Sequence, residues 1–282
     1  MSLRVARLRT YEDFLRYSAR EAGNLARHMD AIQALVPPDN RSFTVPGYSY
    51  TAGRQVDFLV DFQHSPGPPV VNWRERVLCP LTYFNNRMRA TIHAVDMELG
   101  LHDDSTIYAT EQVTPMYAYF AGAYPATVGS EYLGAAVPRG AANAAGVRNE
   151  DLTALTFADD SFDAVVSLDV LEHIPDFMAA FRECHRVLRP DGHLFWSVPF
   201  VSGNPRNTIR ARLTETGIEH ILPPEYHGDP LTTEGCLCFT HFGWEMLDDV
   251  RRLGFRDVYA LCMYSLEFGY LGGYQLQFVA RK

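Results

Sequence analysis

Lysine is all but missing from this chain: of 25 basic side chains, only Lys282 is a lysine. We read the arginine excess as the codon bias of a GC-rich bacterial genome and give it no functional weight. An excess of positive charge is missing as well, the formal net charge being −9. Nucleic-acid binders present a basic face, so the balance argues against that class. Apolar runs long enough to span a bilayer, about 18 residues, are absent, and no apolar core follows the first arginines as in a secretory leader. Cysteine is sparse and odd in number (Cys79, Cys184, Cys236, Cys238, Cys262), which does not suit a disulfide framework. These absences lead us to expect a reduced, cytoplasmic protein with free thiols and no membrane partner. The 282 residues are 47% hydrophobic, enough to bury the core of one large or two modest domains.

The most telling absence is local. "IYATEQVTPMYAYF" (107–120) reads as a short strand running into a helix, where α/β proteins hold nucleotides, yet it contains no glycine. Glycines in such a turn let backbone N–H groups approach a pyrophosphate. Their lack excludes NAD and FAD and leaves room for a ligand without phosphate.

Periodicity divides the chain near Asp103-Asp104-Ser105, giving expected domains of 1–104 and 105–282. Residues 1–36 carry a loose apolar stripe (Tyr11, Phe14, Leu15, Ala22, Leu25, Met29, Ile32, Leu35) that Pro37-Pro38 stops, which predicts a packing or homodimerising helix. Residues 41–78 read as turns and short strands, two of them around Thr51-Ala52-Gly53, and 85–100 as a helix. From 105 onward strands and helices alternate, the mark of a parallel sheet covered on both faces. The strands are expected at 107–110, 127–130, 164–168, 193–198, 258–263 and 275–280. Helices are expected at 115–123, 177–188 and 243–253, with "RPDG" (189–192) as a turn.

Within that frame, Glu131 closes the second strand 20 residues after Glu111, beside Gly129 and Ser130. At that spacing an acid can accept hydrogen bonds from two ribose hydroxyls. Thr114-Pro115 is a good helix start, with Thr as N-cap and Pro as first helical residue. Its positive end suits a carboxylate.

The segment 150–200, with "AVVSLDVLEHI", "FRECHRVLRPDG" and "HLFWSVP", closely resembles class I S-adenosylmethionine-dependent methyltransferases, of the type 11 kind. "GFRDVYALCMY" and "YQLQFVARK" resemble the family's last two strands. The resemblance implies a Rossmann-like α/β fold: a seven-stranded sheet, mostly parallel with its last strand antiparallel. Helices cover both faces, and a mixed N-terminal cap precedes it. It implies S-adenosyl-L-methionine as cofactor and S-adenosyl-L-homocysteine as product. Asp151 would meet the adenine amino group and Leu152 a ring nitrogen, with Glu150 or a helix-capping role for Asp151 as alternatives. Ser167, Leu168 and Asp169 would face the methionine part. Glu111 is expected at the ammonium group, and Arg87 or Arg89 of "NNRMR" as a clamp for the carboxylate. His173 invites a catalytic role, although packing beside the sheet, against substrate, is the commoner one.

"CPLTYFNNRMRA" (79–90) also resembles a zinc knuckle found in some of these methyltransferases. Here the four ligand positions read Ser49, Ala52, Cys79 and Thr82. One thiolate cannot hold a structural zinc, so we expect a metal-free subdomain packed through Tyr48, Tyr50, Phe58, Phe62, Trp73, Tyr83 and Phe84. No metal is expected elsewhere, and "CLC" (236–238) reads as core.

For the acceptor we look to 200–242, where "PPEYHGDPLTTEG" gathers Glu225, Tyr226, His227 and Asp229. His227 is the expected general base and Asp229 its orienting acid, ahead of His220 and His241. Tyr226 and Tyr264 are expected at the acceptor. The aromatic texture suggests a small molecule, a secondary metabolite or sugar methylated on oxygen. Two other classes fit the drifted motifs: a cyclase, isomerase or lyase that keeps the cofactor as structure, and a non-catalytic partner subunit.

Overall fold

The computed structural model describes residues 3–282 and clusters into two compact units. One comprises the residues up to Gly100 together with Ala260–Gln277; the other comprises Leu101–Tyr259 and Phe278–Lys282.

In the first unit, β1 (Arg4–Leu8) precedes a 23-residue helix, α1 (Tyr11–Gln33). A capping box starts α1: Thr10 Oγ accepts the Asp13 N–H, and the Asp13 carboxylate accepts the Thr10 N–H. Residues 4–8 are thus strand, not helix as expected; residues 1 and 2 of that stretch lie outside the described residues. The buried stripe of α1 is Phe14, Tyr17, Glu21, His28 and Ile32, while Leu15, Met29 and Leu35 are exposed. The helix ends at Gln33, a turn before Pro37-Pro38.

β2 (Phe43–Ser49) and β3 (Arg54–Val60) form a hairpin, and β4 (Val77–Leu78) pairs antiparallel with β3. Their core gathers Val45, Phe58, Val60, Val77 and Cys79, with Ala52, Phe62 and Trp73 packed against it. The four ribbon positions meet here. Ser49 Oγ donates to Cys79 Sγ at 3.3 Å, Thr82 hydrogen-bonds the same sulfur, and Ala52 packs on the cluster. Tyr83 departs from the expected packing set and is exposed, since it sits in a left-handed turn with φ 58°.

The helix α2 (Asn86–Glu98) buries Ala90, Ile92, His93 and Val95. Arg89 is fully buried on it, its guanidinium 3.9 Å from the Phe58 ring centroid. Nη1 donates to the Phe268 carbonyl, and Nη2 to those of Gly269 and Val77.

The second unit opens with β5 (Ile107–Ala109), α3 (Pro115–Ala123), β6 (Val128–Gly129), β7 (Phe162–Leu168), α4 (Phe177–Val187) and β8 (Leu188–Ser197). Three short antiparallel pairs follow: β9 (Thr208–Ile209) with β14 (Thr240–His241), β10 (Ala211–Thr214) with β11 (Gly217–His220), and β12 (Tyr226–His227) with β13 (Cys236–Leu237). Then come α5 (Glu245–Arg252) and the strands β15 (Arg256–Ser265) and β16 (Tyr270–Arg281), of which residues 260–265 and 270–277 belong to the first unit.

The main sheet has seven strands in the order β1-β15-β16-β8-β7-β5-β6. β6, β5, β7 and β8 run parallel, while β16 is antiparallel to β8 and β1 antiparallel to β15. The expected architecture is thus present, with one change of membership. The stretch "NEDLTALTF" (149–157) contributes only a single parallel bridge, Glu131 to Asn149, and β1 supplies the seventh strand. The "RPDG" turn also lies within β8. Asp191 there has φ 68°, and the register jumps from Phe162↔Leu188 to Ala164↔His193. The turn is a bulge that lets one strand continue past four turn-forming residues.

Candidate functional site

Chain order reverses in the sheet at β5, with β6 on one side and β7 on the other. Ligands of open parallel sheets bind at such a point, beyond the carboxyl ends of the strands. The residues there are Thr110 to Thr114 after β5, Gly129 to Glu131 at β6, and Ser167 to Asp169 at β7.

The glycine-free turn is held by side chains in place of glycine-enabled contacts. Glu131 Oε1 accepts the N–H groups of Gln112 at 2.6 Å and Val113 at 3.0 Å. Gln112 then ties the turn outward, its Nε2 donating to the Gly146 carbonyl and its Oε1 accepting the Arg148 N–H. Glu131 Oε2 takes no hydrogen bond from any described residue, so it keeps its lone pairs for a hydroxyl donor. Burial raises the Glu131 pKa, and the two backbone donors and nearby Asp229 modify that shift in opposite senses. Thr114 Oγ accepts the Tyr117 N–H at 3.1 Å, so Thr114 and Pro115 are N-cap and first residue of α3 as the sequence predicts.

Gly129 is required by close approach. A Cβ there would lie 2.5 Å from the Tyr117 ring and 2.7 Å from the Glu111 carbonyl oxygen. Ser130 Oγ is hydrogen-bonded to Tyr108 Oη, and Thr110 Oγ donates to Ser167 Oγ. Asp169 stands in a left-handed conformation, φ 53°, and its Oδ1 accepts Ser197 Oγ at 2.8 Å. Leu168 is buried beside them.

Glu150 and Asp151 part company. Glu150 is buried and bound to Arg148 and Thr156. Asp151 Oδ1 caps its own turn, accepting the Thr153 N–H and Oγ–H, while Leu152 is buried next to it. The second carboxylate oxygen of Asp151 takes no hydrogen bond from any described residue. A group made of adenosine, sulfonium and amino acid fits this donor set. Acceptor oxygens of Glu131 and Asp151 stand open at the end of β6 and after the 149 bridge, and the turn after β5 (110–114) holds no glycine.

Three of the expected site residues lie in the first unit. Arg89 is fully buried and gives three N–H donors to backbone carbonyls, as above, while its buried Nε has no hydrogen-bond partner among the described residues. Arg87 pairs with Glu75 at 3.1 Å. The Tyr264 ring packs on His28 and Tyr274, and its hydroxyl reaches Glu21 at 3.4 Å.

On the acceptor side the chain builds a denser cluster than the sequence suggests. A 3₁₀ turn, Leu171–His173, follows β7. The β12–β13 pair is docked onto it by the Phe239 N–H to Glu172 carbonyl bond and by His173 Nδ1 to the Leu237 carbonyl, 2.7 and 2.8 Å. This brings the His173 and His227 rings edge to face at 5.0 Å. His227 Nε2 contacts Glu225 Oε1 at 3.0 Å, and that carboxylate also binds His241 at 2.9 Å and Arg210 at 3.1 Å. The Glu172 carboxylate, first among the causes, and Glu225 push the His227 pKa up to about 9.

Asp229 does not orient His227. Its two oxygens accept the Leu231 N–H and the Thr232 hydroxyl, closing a local turn. Tyr226 is exposed beside the cluster, and His220 is exposed on β11. Sequence reading named Glu225 without giving it a role and missed Glu172. Glu172 was hidden inside a family-like "LEH", and Glu225 becomes an orienting acid only through the pairing of β12 with β13.

Residues 110–196 match the family model described as a methyltransferase domain. The ubiquinone biosynthesis O-methyltransferase of Pseudomonas syringae pv. tomato is 33% identical over 84 residues, 29% of this chain and 35% of that protein. The Pseudomonas aeruginosa protein of the same name is 36% identical over 66 residues, covering 23% and 28%. The chain thus spans about a third of the length of these curated relatives. Among solved structures, an S-adenosylmethionine-dependent methyltransferase from Mesorhizobium loti superposes with a TM-score of 0.43 at 20% identity, over 70% of this chain and 98% of that one. The 1,6-didemethyltoxoflavin-N1-methyltransferase of Burkholderia thailandensis gives 0.42 at 17%, over 70% and 78%.

Proposed function

We propose, from the premise that residues 110–196 are a methyltransferase domain, that this protein transfers a methyl group from S-adenosylmethionine to an oxygen of a small molecule. The observation that carries the cofactor assignment is Glu131. It stands at the carboxyl end of β6, with one oxygen fixed to the turn after β5 and the other open to a ribose hydroxyl. When bound, the cofactor supplies a methyl group on a sulfonium, a good leaving group.

The chain's own part is to bind and orient. Glu131 holds the ribose, Asp151 and Leu152 the adenine edge, and Ser167 to Asp169 border the methionine part. Glu111 and the N-terminal end of α3 at Thr114 complete the reading, with Gly129 and Ser130 setting the floor. The acceptor oxygen forms its bond to the methyl carbon as the carbon–sulfur bond breaks, and its proton leaves to solvent. Positioning and exclusion of water supply much of the rate in such an in-line displacement.

His227 is poorly set as the base expected of it. Its Nε2 is already engaged by Glu225 Oε1 and its Nδ1 faces the buried Glu172 carboxylate, so neither nitrogen stands free to take a proton from an acceptor. We assign His227 and His173, with Tyr226 at the rim, to holding the acceptor.

Calorimetry with S-adenosylhomocysteine tests the reading, with micromolar binding expected. Absence of binding by well-folded protein would overturn it.

A further inference from the structure

Glu172 poses a problem that the methyl-transfer reading leaves unanswered. Its side chain is fully buried, and neither carboxylate oxygen receives a hydrogen bond. Two imidazole nitrogens face Oε1: His173 Nε2 at 3.5 Å and His227 Nδ1 at 3.7 Å. Both separations exceed hydrogen-bond length, so a proton on either ring would still leave the carboxylate without a proper donor.

Each ring is already committed on its far side. His173 Nδ1 lies 2.8 Å from the Leu237 carbonyl oxygen, which can only accept, so Nδ1 carries the hydrogen. His227 Nε2 lies 3.0 Å from Glu225 Oε1, a carboxylate that also takes Arg210 and His241. In the neutral rings the nitrogens turned toward Glu172 are therefore lone pairs. Three acceptors converge on one point, with their ligand atoms all within 4.8 Å of one another.

That spacing is what a metal ion imposes. Two ligand atoms about 2.1 Å from an ion, at a tetrahedral angle, stand about 3.4 Å apart. The far-side partners are also those of a metal site, where ligating imidazoles donate their other N–H to a backbone carbonyl or a carboxylate. We propose that Glu172, His173 and His227 bind one divalent transition-metal ion. Two imidazoles with one carboxylate favour zinc, manganese, iron(II) or cobalt over magnesium and calcium.

Three protein ligands leave positions open. The 3₁₀ turn bearing Glu172 and His173 leaves the carboxyl end of β7, the ligand side of the sheet. An acceptor hydroxyl bound there would be oriented and made more acidic. This second step rests on the methyl-transfer reading; the metal site does not.

A neighbouring group, Glu225, Cys238 and His241, also has ligand-like spacing. Its atoms are otherwise engaged, Glu225 by three cations or rings and Cys238 Sγ as donor to the Thr240 carbonyl. It serves as the brace for His227.

The test uses the full chain, stripped with a chelator and dialysed. Cobalt(II) is titrated by its visible absorption and zinc by calorimetry, and bound metal is counted by elemental analysis. One ion per chain is expected. H173A and H227A should each weaken binding by about 100-fold or more, while H241A changes it only several-fold. Should Glu172→Gln fail to fold, H227A, in a half-buried loop position, carries the test. No bound ion, unchanged affinity in the H173A/H227A double variant, or loss in H241A with retention in H227A would each overturn the site. Calorimetry with S-adenosylhomocysteine on the same samples separates the two readings. Metal without nucleoside binding removes the methyl-transfer reading and leaves the site, and nucleoside without metal does the reverse.

Discussion

Gly129 shows how little space there is beside the turn after β5. Any side chain there meets the Tyr117 ring and the Glu111 carbonyl, so Gly129→Ala should cost roughly 1–3 kcal/mol in chemical denaturation. It should also displace Glu131 and weaken S-adenosylhomocysteine binding. Glu131→Ala is expected to weaken that binding by roughly 1–3 kcal/mol in calorimetry, since it removes the proposed ribose acceptor and frees two backbone donors together. Arg89 behaves oppositely. Arg89→Ala leaves three carbonyls without donors and should lower unfolding stability by about 2–4 kcal/mol. Nucleoside affinity of the folded fraction should not change. A matching loss of affinity would restore the clamp role that "NNRMR" suggests. The sequence marks Arg89 only as a cation on the helix before β5; the packing shows three of its N–H groups on the carbonyls of Phe268, Gly269 and Val77.

Among the elements, those with local signals were legible and those defined by partners were not. α3 begins where Thr114-Pro115 says it should and ends at Ala123 as expected, because cap and proline act within one turn. β1 gave no such signal: five residues of mixed polarity become a strand only by pairing with β15. "NEDLTALTF" forms no strand for a related reason, since Glu150 and Asp151 there are turned to Arg148, Thr156 and Thr153 and so compete with a ladder. In the three-stranded sheet, Arg76, just before β4, donates twice to Asp61, just after β3, at 2.6 and 2.5 Å. The Arg76 hydrogen bond is the main cause that lowers the Asp61 pKa. A lowered carboxylate pKa stabilises the fold above the unfolded value of about 3.9 and loses that contribution as pH falls through the folded one. Asp61→Asn should therefore cost about 1 kcal/mol at pH 7. Denaturation curves of variant and parent should converge in the acid range; a constant gap down to the lowest pH would contradict the pairing.

For the whole molecule, the decisive measurement is the fate of a methyl group. Incubation with S-adenosylmethionine labelled in the methyl carbon should place the label on a small hydroxyl-bearing product, read by mass spectrometry. An unlabelled, rearranged product would favour a repurposed cyclase or lyase instead. The charge of −9 further predicts no shift of DNA or RNA in gel assays at physiological salt. No helix of the described residues is long and apolar enough to cross a membrane.

The sequence by itself determined the alternating strand and helix order, the glycine-free character of the turn at 110–114, and the acid at 131. Each of these depends on neighbours within a few residues or on a regular spacing. The tertiary structure decided what depends on partners far apart in the chain. It gave β1 the seventh place in the sheet, and it buried Arg89 fully against the carbonyls of Phe268, Gly269 and Val77. It also set His227 between Glu172 and Glu225, acids 55 and 2 residues away. A histidine's chemistry follows from what faces each of its two nitrogens, and that is fixed when β12–β13 docks on the turn after β7, not by the residues beside it in sequence.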